Sequence, residues 1–214
     1  MKNQQFDALP TAVLEAAGYR EAARMGYNDL VTFLQPQLRS KNRVMLLFWA
    51  MNFLLLLVLI WKTSQLPSGS DWLGAIGLGF AGSFLLIPLH EWVHALAFRS
   101  LGATRIFYGA NWKKLYFYAG ADFFVLNHAG FTRVALAPCL LIGSLLLLIT
   151  SLLPPFWQVS LIATVLLHSG MSAGDFALLA WFDSHRHQQP LTFDDHAAGV
   201  SYFYVKSNSP YLFK

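Results

Sequence analysis

Of 214 residues, 56% are apolar and 12% are charged, against roughly 25% charged in soluble domains, so the chain reads as an integral membrane protein of one domain. The net charge of +4 is carried by loop residues that are not interleaved with aromatics on one face, which excludes a nucleic-acid surface. A single cysteine, Cys139, excludes a disulfide framework and reads as a packed small residue in an apolar run.

In chain order, residues 1–43 are polar and of mixed charge. They predict a cytoplasmic segment with an amphipathic helix around Ala12 to Leu34, weakened by Gly18 and Gly26, that coats the membrane surface. No short apolar stretch with a small-residue cleavage site follows a basic start, so no cleaved signal peptide is expected. Four apolar stretches then predict four transmembrane helices: Val44 to Trp61, Trp72 to Leu101, Val134 to Leu153 and Phe156 to Phe182. The second and fourth exceed the roughly 20 residues that a bilayer core requires, which implies tilt, a break or emergence into water. Residues 44–182 thus form a four-span domain, and residues 183–214 a solvated cytoplasmic tail.

The second span carries a stripe of small residues, Ala75, Gly79 and Ser83, that reads as a helix-packing face. Pro88 follows, and predicts either a kink or a fresh helix start. One residue further on stands His90-Glu91-Trp92-Val93-His94. Residues four apart share a helix face, so His90 and His94 can bind one zinc ion while Glu91 leans toward a water beside it. Ionisable groups in a membrane segment cost roughly 2.5–3.5 kcal/mol each, and three within five residues mark a functional site.

Two aromatic and β-branched runs, Thr104-Arg105-Ile106-Phe107-Tyr108 and Leu115-Tyr116-Phe117-Tyr118, flank a turn-like stretch from Gly109 to Lys114. They predict a β-hairpin within about 104–126, between the second and third spans, acting as an interfacial cap or as an edge that pairs with an extended substrate.

A catalytic zinc site needs a third protein ligand, and Asp175 in the fourth span is the candidate. His90 lies eighteen residues past Trp72 and Asp175 nineteen past Phe156, so both sit roughly 27–29 Å along parallel helices at 1.5 Å per residue. The run Ser169-Gly170-Met171-Ser172-Ala173-Gly174 is mainly small and permits close approach to the motif helix. His168, seven residues before Asp175, reads as an interior histidine, with support of a ligand and direct ligation as alternatives. Beyond this span Asp194, Asp195 and His196 read as part of the solvated tail.

Lysine and arginine cluster before the first span and between the second and third, which places both termini and the middle connection in the cytoplasm. The chemistry implied is peptide-bond hydrolysis near the cytoplasmic face, with one zinc per chain and Glu91 as general base. Expected partners are the lipid bilayer and a membrane-associated protein or peptide substrate.

The order of His90-Glu91-x-x-His94, an aromatic hairpin, Ala135-Leu136-Ala137-Pro138 and Gly174-Asp175 resembles a bacterial membrane family of zincin-type peptidases, similar in layout to site-2-type intramembrane zinc metalloproteases. The resemblance covers about Leu85 to Phe182 and implies His90, His94 and Asp175 as zinc ligands and Glu91 as the catalytic carboxylate. It departs at Asp175, which lacks the longer Asn-Pro and Asp-Gly context of the site-2 type. Two other readings stand beside it: a histidine-box lipid oxygenase using His185, His187 and His196, and a metal-binding membrane protein without catalysis. Glu91 separates the last from an enzyme, because a purely structural site needs no carboxylate beside its first ligand.

Overall fold

The computed structural model describes residues 1–113 and 116–207; Lys114 and Leu115 of the expected hairpin, and the tail beyond 207, lie outside the described residues. The described chain is mainly helical, with a five-stranded and a two-stranded antiparallel sheet. Its helices are α1 (Thr11–Ala16), α2 (Leu30–Leu38), α3 (Arg43–Thr63), α4 (Gly69–Leu85), α5 (Ile87–Ser100), α6 (His128–Thr150), α7 (Pro155–Met171) and α8 (Ala173–Ser184). The strands are β1 (Gln4–Gln5), β2 (Tyr19–Gly26), β3 (Ile106–Asn111), β4 (Tyr116–Ala121), β5 (Phe124–Asn127), β6 (Leu191–Asp195) and β7 (Val200–Lys206).

Helices α3 and α6 are each long and apolar enough to cross a membrane. The other two apolar stretches are broken: α4 meets α5 at 41°, and α7 meets α8 at 46°. Pro88 stands in the first turn of α5, where its missing N–H removes no helical bond, so the break is a restart at Leu86. The second break falls at Ser172, whose hydroxyl donates to the His168 carbonyl at 3.2 Å. Asn42 caps α3 by accepting from the Met45 N–H at 3.0 Å. The neighbouring Arg43 pairs with Asp183 (Nε to Oδ2, 3.0 Å), which fixes the start of α3 against the end of α8.

The small-residue stripe of α4 is buried, and it packs on α7. A methyl group at Gly79 would fall 2.6 Å from both the Ser160 carbonyl oxygen and the Ala163 Cβ, so the two backbones meet at glycine distance. Cys139 is a buried free thiol packed among Met45, Phe48, Phe176 and Ala180, in keeping with a small core residue.

Both chain ends correct the sequence reading. The stretch expected as one amphipathic helix from Ala12 to Leu34 is two short helices separated by β2. Gly18, at φ +82°, ends α1 in a conformation that suits glycine, and Tyr19–Gly26 then alternates between the faces of a strand. The expected solvated tail contains β6 and β7, and the sheet runs β1-β5-β6-β7-β2. Alternation in Leu191–Asp195 and Val200–Lys206 explains this: Leu191, Phe193 and Tyr204 pack with Leu14 of α1 on one face, while Phe203 and Val205 pack with Leu179 and Phe182 of α8 on the other.

The hairpin is β3 and β4, narrower than 104–126, because Phe124–Asn127 joins the larger sheet as β5. In the hairpin Gly109 faces Tyr118 and Gly120 faces Phe107. A methyl at Gly109 would lie 2.2 Å from the Tyr118 ring and one at Gly120 2.4 Å from the Phe107 ring, so both rings lie flat across their glycine partners. Phe107 then stacks on His196 at 4.1 Å, and Tyr27 contacts both rings, which docks the hairpin against the larger sheet.

Candidate metal centre

The two restarts build the site. α5 begins three residues before His90, and α8 begins two residues before Asp175, so the acidic ligand occupies the first turn of a 12-residue helix. That position favours a carboxylate, because the positive end of the helix dipole lies there. His90, His94 and Asp175 offer ligand atoms that all lie within 4.8 Å of one another, and they form the one such group found among the described residues.

The ring orientations decide what these atoms can do. His94 Nδ1 lies 3.0 Å from the Val134 carbonyl of α6, an oxygen that can only accept, so Nδ1 carries the proton and Nε2 presents a lone pair. His90 Nδ1 lies 3.1 Å from His168 Nε2 on α7, a contact in which either ring nitrogen can donate. The two Nε2 atoms face each other at 3.0 Å. His90 Nε2 lies 3.2 Å from Asp175 Oδ2 and His94 Nε2 3.3 Å from Asp175 Oδ1. When His90 Nδ1 donates to His168, as His94 Nδ1 does to Val134, two nitrogen lone pairs and two carboxylate oxygens converge, an acceptor-only cluster that a divalent cation satisfies. His90, His94 and Asp175 therefore fit the donor set of a three-ligand zinc site.

Glu91 points elsewhere. Its carboxylate lies beside the Ala119 backbone of β4, and its Oε2 is buried without a hydrogen-bond partner. A cavity of about 340 Å³ joins His90, Glu91, His94 and Asp175 to Leu30 and Leu34 of α2 and to Asp194 and Ser201 of the larger sheet. Glu91, Phe117, Tyr118 and Met171 also border a second, more open hollow between α4, the hairpin and the end of α7, walled by Phe80, Phe84, Trp92 and Trp112. Glu91 thus stands where an apolar groove meets the inner chamber.

The sequence named three candidate ligands and Glu91, and the structure brings all four to one chamber. His168, read foremost as a merely interior residue, holds His90 by a buried side-chain contact, which is the supporting role named as an alternative. The residues of the oxygenase reading are dispersed: His185 stacks on Trp181 with its Nδ1 2.8 Å from the Trp181 carbonyl, while His196 stacks on Phe107. Sequence reasoning missed the Val134 carbonyl, the Ala119 backbone and the far wall of Tyr27, Asp194 and Ser201. A carbonyl leaves no trace in a sequence, and the wall residues come from segments read as helix and as tail.

No curated relative and no solved structure matches the chain. Residues 83–187, just under half of the chain, match the family model described as putative zincin peptidase, and this match supports a zinc-dependent metallopeptidase.

Proposed function

We propose that the protein is a membrane-embedded zinc peptidase that hydrolyses peptide bonds of membrane-associated substrates near the cytoplasmic face, with both termini in the cytoplasm. The observation that carries this reading is the pairing of an acceptor-only ligand cluster with a buried, unpartnered Glu91 Oε2 in one chamber. The α4–α5 and α7–α8 pairs count as single spans, which gives four with α3 and α6. Broken backbone at membrane depth is tolerated where it lines a cavity: the α7–α8 break adjoins this chamber, and the α4–α5 break adjoins the outer groove.

His90, His94 and Asp175 would hold the zinc ion, and when bound it would supply the Lewis acidity that acidifies water and polarises a carbonyl. The Val134 carbonyl keeps His94 in the tautomer that presents Nε2 inward, and His168 orients the His90 ring with its Nε2 toward the cluster. Glu91 accepts the proton of the attacking water at Oε2 and delivers it to the leaving nitrogen, so that one carboxylate serves as base and then as acid. The substrate reaches Glu91 through the apolar groove of Phe84, Trp92 and Trp112, and its extended backbone pairs along the edge of β4 that β3 leaves open.

The test is Glu91→Gln in the purified, zinc-loaded chain, assayed on quenched fluorescent peptides in micelles. Cleavage should fall at least about a thousandfold while zinc content is retained. Wild-type rates from this variant at saturating zinc contradict the assignment of the base.

A further inference from the structure

The inner chamber has a second polar end that the hydrolytic chemistry leaves unused. Asp194 on β6 faces Ser201 on β7 in register, and the Ser201 hydroxyl donates to Asp194 Oδ1 at 2.6 Å. Asp194 Oδ2 lies close over Gly120, where a methyl would come within 3.0 Å of it. Tyr27 brings a third oxygen, since its hydroxyl is buried without a hydrogen-bond partner and lines the same cavity. Burial and then the Asp194 charge push the ionisation of this hydroxyl far up, so it stays neutral and adjacent to the carboxylate.

These oxygens share one deficiency. Ser201 spends its proton on Asp194, so what it presents to the chamber is lone pairs. Asp194 presents a carboxylate, and Tyr27 an unused hydroxyl. Burial raises the Asp194 pKa to about 6, so at neutral pH the fold keeps an ionised carboxylate in a place that resists ionisation. The same carboxylate accepts from Ser201 and from the Ala121 backbone N–H of β4, and it still lines the cavity beside an unpartnered hydroxyl.

We infer that the far end of the chamber is a subsite for a cationic substrate side chain, lysine or arginine, held by the Asp194 carboxylate with the Tyr27 and Ser201 hydroxyls. The inference rests on the peptidase reading, and it adds a selectivity: an apolar peptide carrying one basic residue at a fixed distance from the cleaved bond. The apolar remainder occupies the groove of Phe84, Trp92 and Trp112, while the basic residue passes Glu91 and reaches Asp194.

The experiment uses the zinc-loaded Glu91→Gln chain in micelles and fluorescein-labelled decapeptides of leucine and alanine. One lysine is moved through the sequence, each peptide having a norleucine counterpart, and binding is read by anisotropy. Lysine should bind about tenfold tighter than norleucine at one position only, in line with a buried charge-assisted hydrogen bond. Adding Asp194→Asn, which keeps an acceptor for Ser201 and removes the charge, should bring that ratio below twofold. Tyr27→Phe should lower it about threefold, which keeps the test decisive should Asp194→Asn fail to fold. Asp71→Asn, in the first turn of α4 and on the wall of neither cavity, should leave the ratio intact. The subsite is overturned if no position prefers lysine, or if the preference survives Asp194→Asn. Cleavage of the norleucine peptides by the unaltered chain reads the peptidase function separately: cleavage without lysine preference removes the subsite alone, and preference without cleavage removes the peptidase alone.

Discussion

The two ends of the chamber are built by opposite strategies. The ligand end is made by two helices that restart inside apolar stretches, so its residues are close in sequence to a local signal: a proline, a five-residue motif, a glycine followed by an acid. The sheet end is assembled from residues 27, 194 and 201, contributed by both extremities of the chain and closed by the hairpin. Local periodicity marks the first kind of construction and is nearly blind to the second, because strand pairing at long range has no fixed spacing.

The largest contrast between the ends should be in metal retention. His94→Ala removes one of three ligands and should abolish stoichiometric zinc, whereas Asp194→Asn at the other end should leave zinc at its wild-type level, both read by metal analysis of purified chain. Loss of zinc in Asp194→Asn would merge the two ends into one site.

A smaller effect sharpens the ligand end. His168→Phe retains a buried ring but removes the partner of His90 Nδ1, and outer partners of this kind contribute roughly 10–100-fold to affinity. Zinc affinity measured by competition with a chelator should fall by that factor. An altered absorption spectrum of the cobalt-substituted variant should accompany it, a change that loss of packing alone does not produce.

The sheet end depends on close backbone approach. Gly120→Ala places a methyl against the Phe107 ring and Asp194, and should destabilise the chain by about 1–3 kcal/mol, the cost of overpacking. Gly143→Ala on the unbroken α6 meets nothing within 4 Å and should be neutral or stabilising by up to about 1 kcal/mol. Equal melting temperatures for the two variants would show that the hairpin is not seated on Asp194.

The smallest effect is a pH slope. Asp194 has a folded pKa of about 6, above its ordinary value of 3.8, so between those values the folded chain holds a proton that the unfolded chain has released. Stability contributed here is present below the ordinary aspartate pKa, declines as pH rises toward 6, and levels off above it. Melting temperatures at pH 5 and pH 7 should therefore differ less in Asp194→Asn than in the unaltered chain.

Much of the helical framework was legible, because apolar stretches of bilayer length carry a strong signal; the predicted stretch from Trp72 to Leu101 corresponds to α4 and α5, and that from Phe156 to Phe182 to α7 and α8. Pro88 announced an interruption, but the second break at Ser172 has no proline, and the small residues around it were read as a packing face. The run Val200–Lys206 has strand composition, yet its short polar surroundings masked it, since a strand is stabilised by partners that a single segment does not reveal. His168 illustrates the same limit: its spacing from Asp175 suggested a shared face, while its actual contact is with His90, on another helix.

Zinc stoichiometry across ligand variants tests the centre most directly. The chain and its Glu91→Gln form should each hold one zinc, and His90→Ala and Asp175→Ala should each hold less than about a tenth of that under the same dialysis. A full complement of zinc in Asp175→Ala would contradict the account, because it would mean that the two broken helix pairs do not share a metal.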